Sequence, residues 1–276
     1  MRNLDEATVT GFGREWSEFD QVELGADELE SIFDSYFSIF PFEELPPGAE
    51  GFDLGCGSGR WADLVLAKVG RLHCIDPSQL ALNVARRRLA RRPGAAFHQA
   101  SVDEMPLADG SQDFGYSLGV LHHVPDTGTA MAACVRKLKP GAPFLVYLYH
   151  SFDNRPVWYG TLWVMSDVAR KGISRLPFPL RKTVTSIVAA FIYWPVARIA
   201  RLTESMGKEV VNFPLSFYRN RSFYVMRTDA LDRFGTRLEH RFSRREIEDM
   251  MRSAGLADIR FSERPPFWVA CGRRSR

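Results

Sequence analysis

The chain has little cysteine: Cys56, Cys74, Cys134 and Cys271 are its 4 in 276 residues, and no two lie close together. That scatter excludes zinc sites of the C-x-x-C kind and a disulfide framework, and it fits reduced thiols in a cytoplasmic setting. Charge of one sign is also scarce. The formal net charge is +3, so composition gives no reason to expect a nucleic-acid partner. There is no internal repeat and no low-complexity tract. Met1 to Thr10 is polar, without an apolar run of signal-peptide type. Only Val184 to Leu202 approaches the length of a membrane span, and Thr185, Ser186, Pro195, Arg198 and Arg201 make it a poor one.

What is there is an ordinary globular composition, 45% hydrophobic and 25% charged, in a chain sized for one large domain or one domain with an insertion. The positive charge is local. Arg86, Arg87, Arg88, Arg91 and Arg92 cluster in one segment, and Arg273, Arg274 and Arg276 close the sequence. A solvated helix face with a frayed tail explains them, and so does an anionic partner.

Between residues 50 and 150, short apolar runs alternate with helical spacing. Strands are read at 51–54, 71–75, 95–100, 113–120 and 144–149, with helices over 60–69, 79–92 and 126–138. Lys139-Pro140-Gly141 stops the last of these helices. This alternation predicts an α/β fold around a doubly wound parallel sheet. Residues 150–240 break the rhythm. Rich in aromatics, Arg and Pro, they carry helices near 157–171 and 180–204 and read as a largely helical insertion. The alternation resumes at Ser243, which forms a capping box with Glu246; Gly255 ends that helix, and strands follow at 257–262 and 267–272.

The chemistry sits after the first strand, in Asp53-Leu54-Gly55-Cys56-Gly57-Ser58-Gly59. Glycine permits positive φ and close backbone approach to a ligand, and the helix that follows offers free N–H groups. Asp76 ends the second strand, where a carboxylate can accept bonds from both hydroxyls of a ribose. A nicotinamide dinucleotide site shares these features. Its G-x-G-x-x-G fingerprint, however, needs glycine or alanine at position 60, where Arg60 stands. The acid before the turn also suits a ligand with a cationic amino-acid end better than a pyrophosphate, which it would repel.

On these residues the chain resembles the class I, Rossmann-like, S-adenosylmethionine-dependent methyltransferases, in the broad group that acts on small molecules and natural products. The resemblance covers roughly residues 10–150 and 240–272. It implies a seven-stranded sheet, mostly parallel with an antiparallel last strand, and S-adenosyl-L-methionine as cofactor. It implies that Gly55, Cys56, Gly57 and Gly59 cradle the methionine part, that Asp53 orders its amino group, and that Asp76, followed by Pro77, holds the ribose. A further signature runs from Glu104 to Phe114. Before it the family often has Asp-Ala for adenine. Here Ser101-Val102 and then Asp103 stand, leaving Ser101 or Asp103 for the adenine amine and the Val102 N–H beside it. The run Leu118 to Asp126 resembles the segment after the fourth strand, and implies that backbone at Leu118 and the side chain of His123 flank the methyl end. Phe12-Gly13-Arg14-Glu15-Trp16 resembles a segment that closes over the cofactor in a subset of relatives, through Phe12 and Trp16. A plain turn at Gly13 and a core role for Trp16 are the alternatives.

Methyl transfer is a displacement at an already activated sulfonium, so the protein's main task is to hold the acceptor in line, with reacting atoms roughly 3–3.5 Å apart. A general base matters only where the acceptor must lose a proton. His123 is the candidate base, and a purely structural partner is the alternative. Tyr149, with Tyr218, Tyr224, Arg227 and His240 from the insertion, are candidate acceptor contacts; packing or solvation is the plainer alternative for each. The expected organisation is an N-terminal helical segment over the cofactor (1–45), a methyltransferase core (46–150 and 241–276) and an inserted cap or lid (151–240). The expected activity is methyl transfer to a small, rather apolar acceptor enclosed by that cap, with no metal. An NAD-dependent oxidoreductase and a non-catalytic membrane- or partner-binding module of the same fold are the alternatives; intact Asp53 and Asp76 disfavour the second. The stretch 184–202, flanked by Arg181, Lys182, Arg198 and Arg201, is a candidate for peripheral membrane contact. The pattern specifies no oligomeric state.

Overall fold

The computed structural model describes residues 3–21 and 23–276. Seven strands, β1 (Glu50–Leu54), β2 (Arg71–Asp76), β3 (Ala95–Gln99), β4 (Phe114–Leu118), β5 (Pro143–Tyr147), β6 (Leu256–Phe261) and β7 (Val269–Arg274), form one sheet. Their order is β3-β2-β1-β4-β5-β7-β6. Every pairing from β3 to β5 is parallel, and β7 runs antiparallel to both β5 and β6. This is the doubly wound, Rossmann-like sheet with an antiparallel last strand. The chain leaves β1 toward β2 and β3 on one side and returns to β4 and β5 on the other. The crevice at the carboxyl ends of β1 and β4 is therefore the topological switch point, where ligands bind in such sheets.

Helices α1 (Glu6–Glu18) and α2 (Ala26–Phe37) precede the sheet; α3 (Arg60–Val65), α4 (Gln79–Arg88) and α5 (Thr127–Lys137) connect its parallel strands. After β5 come α6 (Val157–Ile173), α7 (Phe178–Val188), α8 (Trp194–Ser205) and α9 (Phe223–Gly235), and α10 (Arg244–Ser253) leads back into β6. Two compact units result. One comprises Met1–Gln21, Glu30–Ser151 and Leu238–Arg276, and the other Val22–Leu29 and Phe152–Arg237.

The helix starts follow the sequence. Ser78 caps α4, Asp126 caps α5, and Ser243 with Glu246 makes a complete capping box on α10. The strands read as nearly unbroken apolar runs because both faces are covered; Phe52, Leu72, Ile75, Tyr116, Phe144 and Leu145 are all fully buried. The β1–β4 seam is closed by reciprocal pairs. Gly51 lies opposite Phe114 and Phe52 opposite Gly115, each ring occupying the space that a side chain on the opposing glycine would need.

Several boundaries differ from the sequence reading. The helix expected over 60–69 ends at Val65, and β4 stops at Leu118 because Gly119 turns the chain at φ 78°. In the insertion, the expected helix near 180–204 is a continuous run, Phe178–Ser205, interrupted by a π-helical turn at Ala189–Tyr193. Pro195 just beyond it can donate no backbone hydrogen bond, and a wider turn absorbs that defect. α9 was not anticipated. It packs Met226, Ala230 and Phe234 against Ala189, Tyr193 and Ala197 to give the inserted unit its own small core. Asp167 and Arg170 form a buried pair in α6, and Arg170 also donates to the Thr236 carbonyl, which ties α6 to the end of α9.

The seam makes a testable statement. A methyl group at Gly115 would lie 2.3 Å from Phe52 Cζ. Gly115→Ala should therefore cost about 1–3 kcal/mol in urea unfolding, and adding Phe52→Leu should recover part of that loss. Strictly additive losses would show that the ring is not the obstacle.

Candidate active site

The turn after β1 is fixed from two sides. Gly55, Gly57 and Gly59 all have positive φ. The N–H groups of Gly55 and Cys56 donate to the Ile75 carbonyl at 2.7 and 3.2 Å. The Asp76 carboxylate takes the next bonds: Gly57 N–H donates to Oδ2 at 3.0 Å and Ser78 N–H to Oδ1 at 2.8 Å. Space is tight as well. A Cβ at Gly55 would lie 2.3 Å from Val120 Cγ2, and one at Gly57 2.9 Å from Trp16 Nε1. Conformation and close approach therefore both demand glycine here.

Beside this turn, at the carboxyl ends of β1 and β4, is a partly enclosed cavity of about 110 Å³. Gly55, Asp76 and Pro77 line one side, and Leu118, Gly119, Val120, His123 and Val124 the other. A single face of α1 and the residues before it covers it: Leu4, Asp5, Thr8, Val9, Phe12 and Trp16, spaced three and four apart, line the cavity together. The helix is pinned at both ends. A Cβ on Gly13 would be 2.2 Å from Ser78 Oγ, so α1 seats directly on the start of α4. Asn3 N–H donates to Asp103 Oδ2 at 2.6 Å, and the Asn3 side chain exchanges two hydrogen bonds with the Asp126 backbone.

Two buried acids set the electrostatics. Asp53 sits in β1 behind the turn, and its Oδ2 has no hydrogen-bond partner. Burial pushes its carboxyl up from 3.8 to about 8; the nearby Tyr116 hydroxyl tempers the rise without completing a hydrogen bond, and the Asp76 charge adds to it. Burial raises Asp76 only to about 6, because the Ser78 and Gly57 N–H groups favour its anion. His123 donates from Nδ1 to the Leu238 carbonyl at 2.7 Å. In the neutral ring this leaves Nε2 as the basic nitrogen. His122 is fully buried, stacked on Tyr149 at 3.9 Å between centroids, and burial holds it well below the usual imidazole range. It is a neutral core residue packed against His123.

Of the residues singled out in the sequence, Phe12, Trp16, Gly55, Asp76, Pro77, Leu118 and His123 meet at the cavity. Cys56, Gly57 and Gly59 shape the turn behind it. Ser101 and Val102 are buried beyond β3, with Ser101 Oγ facing Glu104, and Asp103 engages Asn3. Tyr149 is packed between His122 and the Arg241 guanidinium, and His240 N–H donates to the His122 carbonyl. Tyr218, Tyr224 and Arg227 lie in the inserted unit. Tyr218 packs on Tyr193, Tyr224 is buried in α9, and Arg227 lies over the Tyr224 ring. The sequence reading missed Leu4, Asp5, Thr8, Val9, Gly119, Val120 and Val124. For the first four the signal was present: with Phe12 and Trp16 they repeat at helical spacing, and Asp5 caps α1 through Thr8 N–H. Among the described residues no cluster of His, Cys, Asp and Glu could hold a metal.

A glycine turn, an acid ending β2 and a cavity at the switch point together define a candidate ligand site of a Rossmann-like sheet. Residues 52–146 match the family described as methyltransferase domain. A ubiquinone biosynthesis O-methyltransferase of Alkalilimnicola ehrlichii is 37% identical over 99 residues, which is 34% of this chain and 40% of that protein. An uncharacterised protein in a transposon of Streptomyces fradiae is 41% identical over 129 residues, 45% of this chain and 36% of that one. The chain thus spans about two fifths of the length of these curated relatives. The solved structure of human N-acetylserotonin methyltransferase with S-adenosylmethionine has a TM-score of 0.56 at 15% identity, covering 96% of this chain and 57% of its own, which is a likeness of fold.

The raised acids predict a pH profile. Both folded values lie above the unfolded one, so their contribution to stability is complete below about pH 4. It is lost as pH rises through about 6 and then about 8. Urea unfolding of the ligand-free chain across this window should show stability falling, and Asp53→Asn should flatten the upper part. A profile unchanged by Asp53→Asn would remove Asp53 as its source.

Proposed function

We propose that the chain transfers a methyl group from S-adenosyl-L-methionine to a small, rather apolar acceptor, and that the inserted unit carries the acceptor specificity. The buried Asp53 carboxyl carries this reading. Its Oδ2 lacks a partner, and a cationic amino group would complete it by favouring its anion, which a pyrophosphate would disfavour. Gly55 and Asp76 line the cavity, and Asp76 has acceptor capacity beyond its two N–H bonds.

The methyl donor, when bound, supplies an electrophilic carbon on a sulfonium. This chain's residues would do the rest. Asp53 would hold the amino group and Asp76 the ribose hydroxyls. Val9, Phe12, Val120 and Val124 would keep water from the cavity, which strengthens every polar contact inside it. With Nδ1 bonded to the Leu238 carbonyl, His123 Nε2 would take the proton of a hydroxyl acceptor; an amine acceptor that arrives neutral would not need it.

Calorimetry with S-adenosylhomocysteine and with NAD tests the reading. The thioether should bind, with a proton released near neutral pH as Asp53 ionises against the ligand's ammonium. Asp53→Asn should abolish that proton release, measured by comparing buffers of different ionisation enthalpy. Asp76→Ala should weaken binding by about 1–3 kcal/mol, or roughly five- to 150-fold. Tight binding of NAD with none of the thioether would overturn the assignment.

A further inference from the structure

Among the described residues, every large hydrophobic side chain that is exposed, apart from Leu80, falls between Val157 and Phe223 in the inserted unit. On the run from α7 to α8 the outer face carries Ile187, Phe191, Trp194, Ile199 and Leu202, with Phe191 77% exposed. The inner face is composed differently. Thr185, Ala189, Tyr193, Ala197 and Ala200 are buried, and the central three pack on α9. α6 repeats the pattern, exposing Trp158, Leu162, Met165 and Val168 at helical spacing. Isolated apolar residues on a surface need no explanation, but contiguous ones mark a binding face.

Charge says what covers it. From Arg155 to Thr203 the sequence has eight basic residues and one acid, Asp167, in a chain whose overall excess is only +3. Asp167 is itself buried and paired with Arg170 and Lys171. Arg201 is exposed, and Arg198 and Arg175 bond to backbone carbonyls, which position a guanidinium without cancelling its charge. Two copies of such a face would meet with like charges. A second depression along α7 joins Lys182, Thr183 and Ser186 to an apolar floor of Ile187, Ala190 and Phe191. Cations and hydroxyls beside exposed apolar side chains match an anionic headgroup above an acyl layer.

We propose that the inserted unit binds an anionic lipid surface peripherally, seating the outer face of α7–α8 and the exposed face of α6 at the headgroup boundary. The run Phe178–Ser205 is long and apolar enough to cross a bilayer by length and composition alone, with a mean hydropathy of 1.4 in its most apolar window. It does not cross. Its uncharged segment, from Thr183 to Ala197, covers only about 22 Å as a helix, against about 30 Å of hydrocarbon. Its inner face is also already packed on α9. A helix with one face buried in protein and the other apolar and rimmed by cations lies in the interface plane.

Flotation of the full chain with vesicles tests this. The chain should bind phosphatidylcholine vesicles containing phosphatidylglycerol, bind pure phosphatidylcholine much more weakly, and release as salt rises. Phe191→Glu should cut the partition by about tenfold or more, and Met165→Glu should do so independently on α6. Circular dichroism and S-adenosylhomocysteine affinity should stay unchanged in both, so a failure of the cofactor assignment would be seen separately. Absence of vesicle binding by the unmodified chain, equal binding to both vesicle types, or full binding by both folded variants would overturn the proposal. So would self-association in sedimentation that Phe191→Glu abolishes in a chain that ignores vesicles, since the occupant would then be a second copy.

Discussion

The carboxylate of Asp76 ties the site to the sheet. Standing at the end of β2, it accepts the N–H of Gly57 from the turn after β1 and the N–H of Ser78 at the start of α4. Ser78 in turn caps α4 through its hydroxyl and receives α1 at Gly13, where no side chain would fit. One buried acid thus orders the turn, the helix cap and, through the cap, the helix that covers the cavity. Its removal would strand two backbone donors, so the order of the turn and of the helix start rests on this one carboxylate.

That arrangement has a cost in the ligand-free chain. Two carboxyls are taken out of water behind a glycine turn, and only one is well bonded. The difference between them, about 6 for Asp76 and about 8 for Asp53, follows from two backbone N–H bonds against none. A buried acid with an open oxygen is poor architecture for stability and good architecture for receiving a cation. Functional sites are where natural folds keep such local deficits.

The turn, both acids and the sheet class were legible in the sequence because each rests on local chemistry. A glycine spacing, an acid at a strand end and an apolar run are visible without knowing what packs against them. Arg60 settled the choice between dinucleotide and methyl-donor patterns from sequence alone, and in the fold it opens α3 and lies over Trp61 at 4.3 Å. What stayed hidden depends on partners far along the chain. The Gly51–Phe114 and Phe52–Gly115 pairs exist only once β1 and β4 are in register. α9 was missed because its buried face includes Thr228 and Ala230 among larger residues, and its place is set by the helices it meets.

The two units solve the packing problem in opposite ways. In the sheet unit the large aliphatic and aromatic side chains go inward, and Phe52, Leu72, Phe114 and Phe144 have no exposed surface. In the inserted unit Ala189, Ala197 and Ala230 share the buried seam with Tyr193, Met226 and Phe234, while the bulk of Phe191, Ile187 and Ile199 is sent outward. Large apolar side chains on the outer face reverse the usual amphipathic order of a helix facing water. The hydrophobic effect gives no reason for that reversal if water is the only solvent, because each outward side chain forgoes about 1.5–3 kcal/mol of burial. The reversal is confined to the unit that contains the basic stretch from Arg155 to Thr203, and a surface both apolar and cationic has an anionic apolar phase as its natural complement.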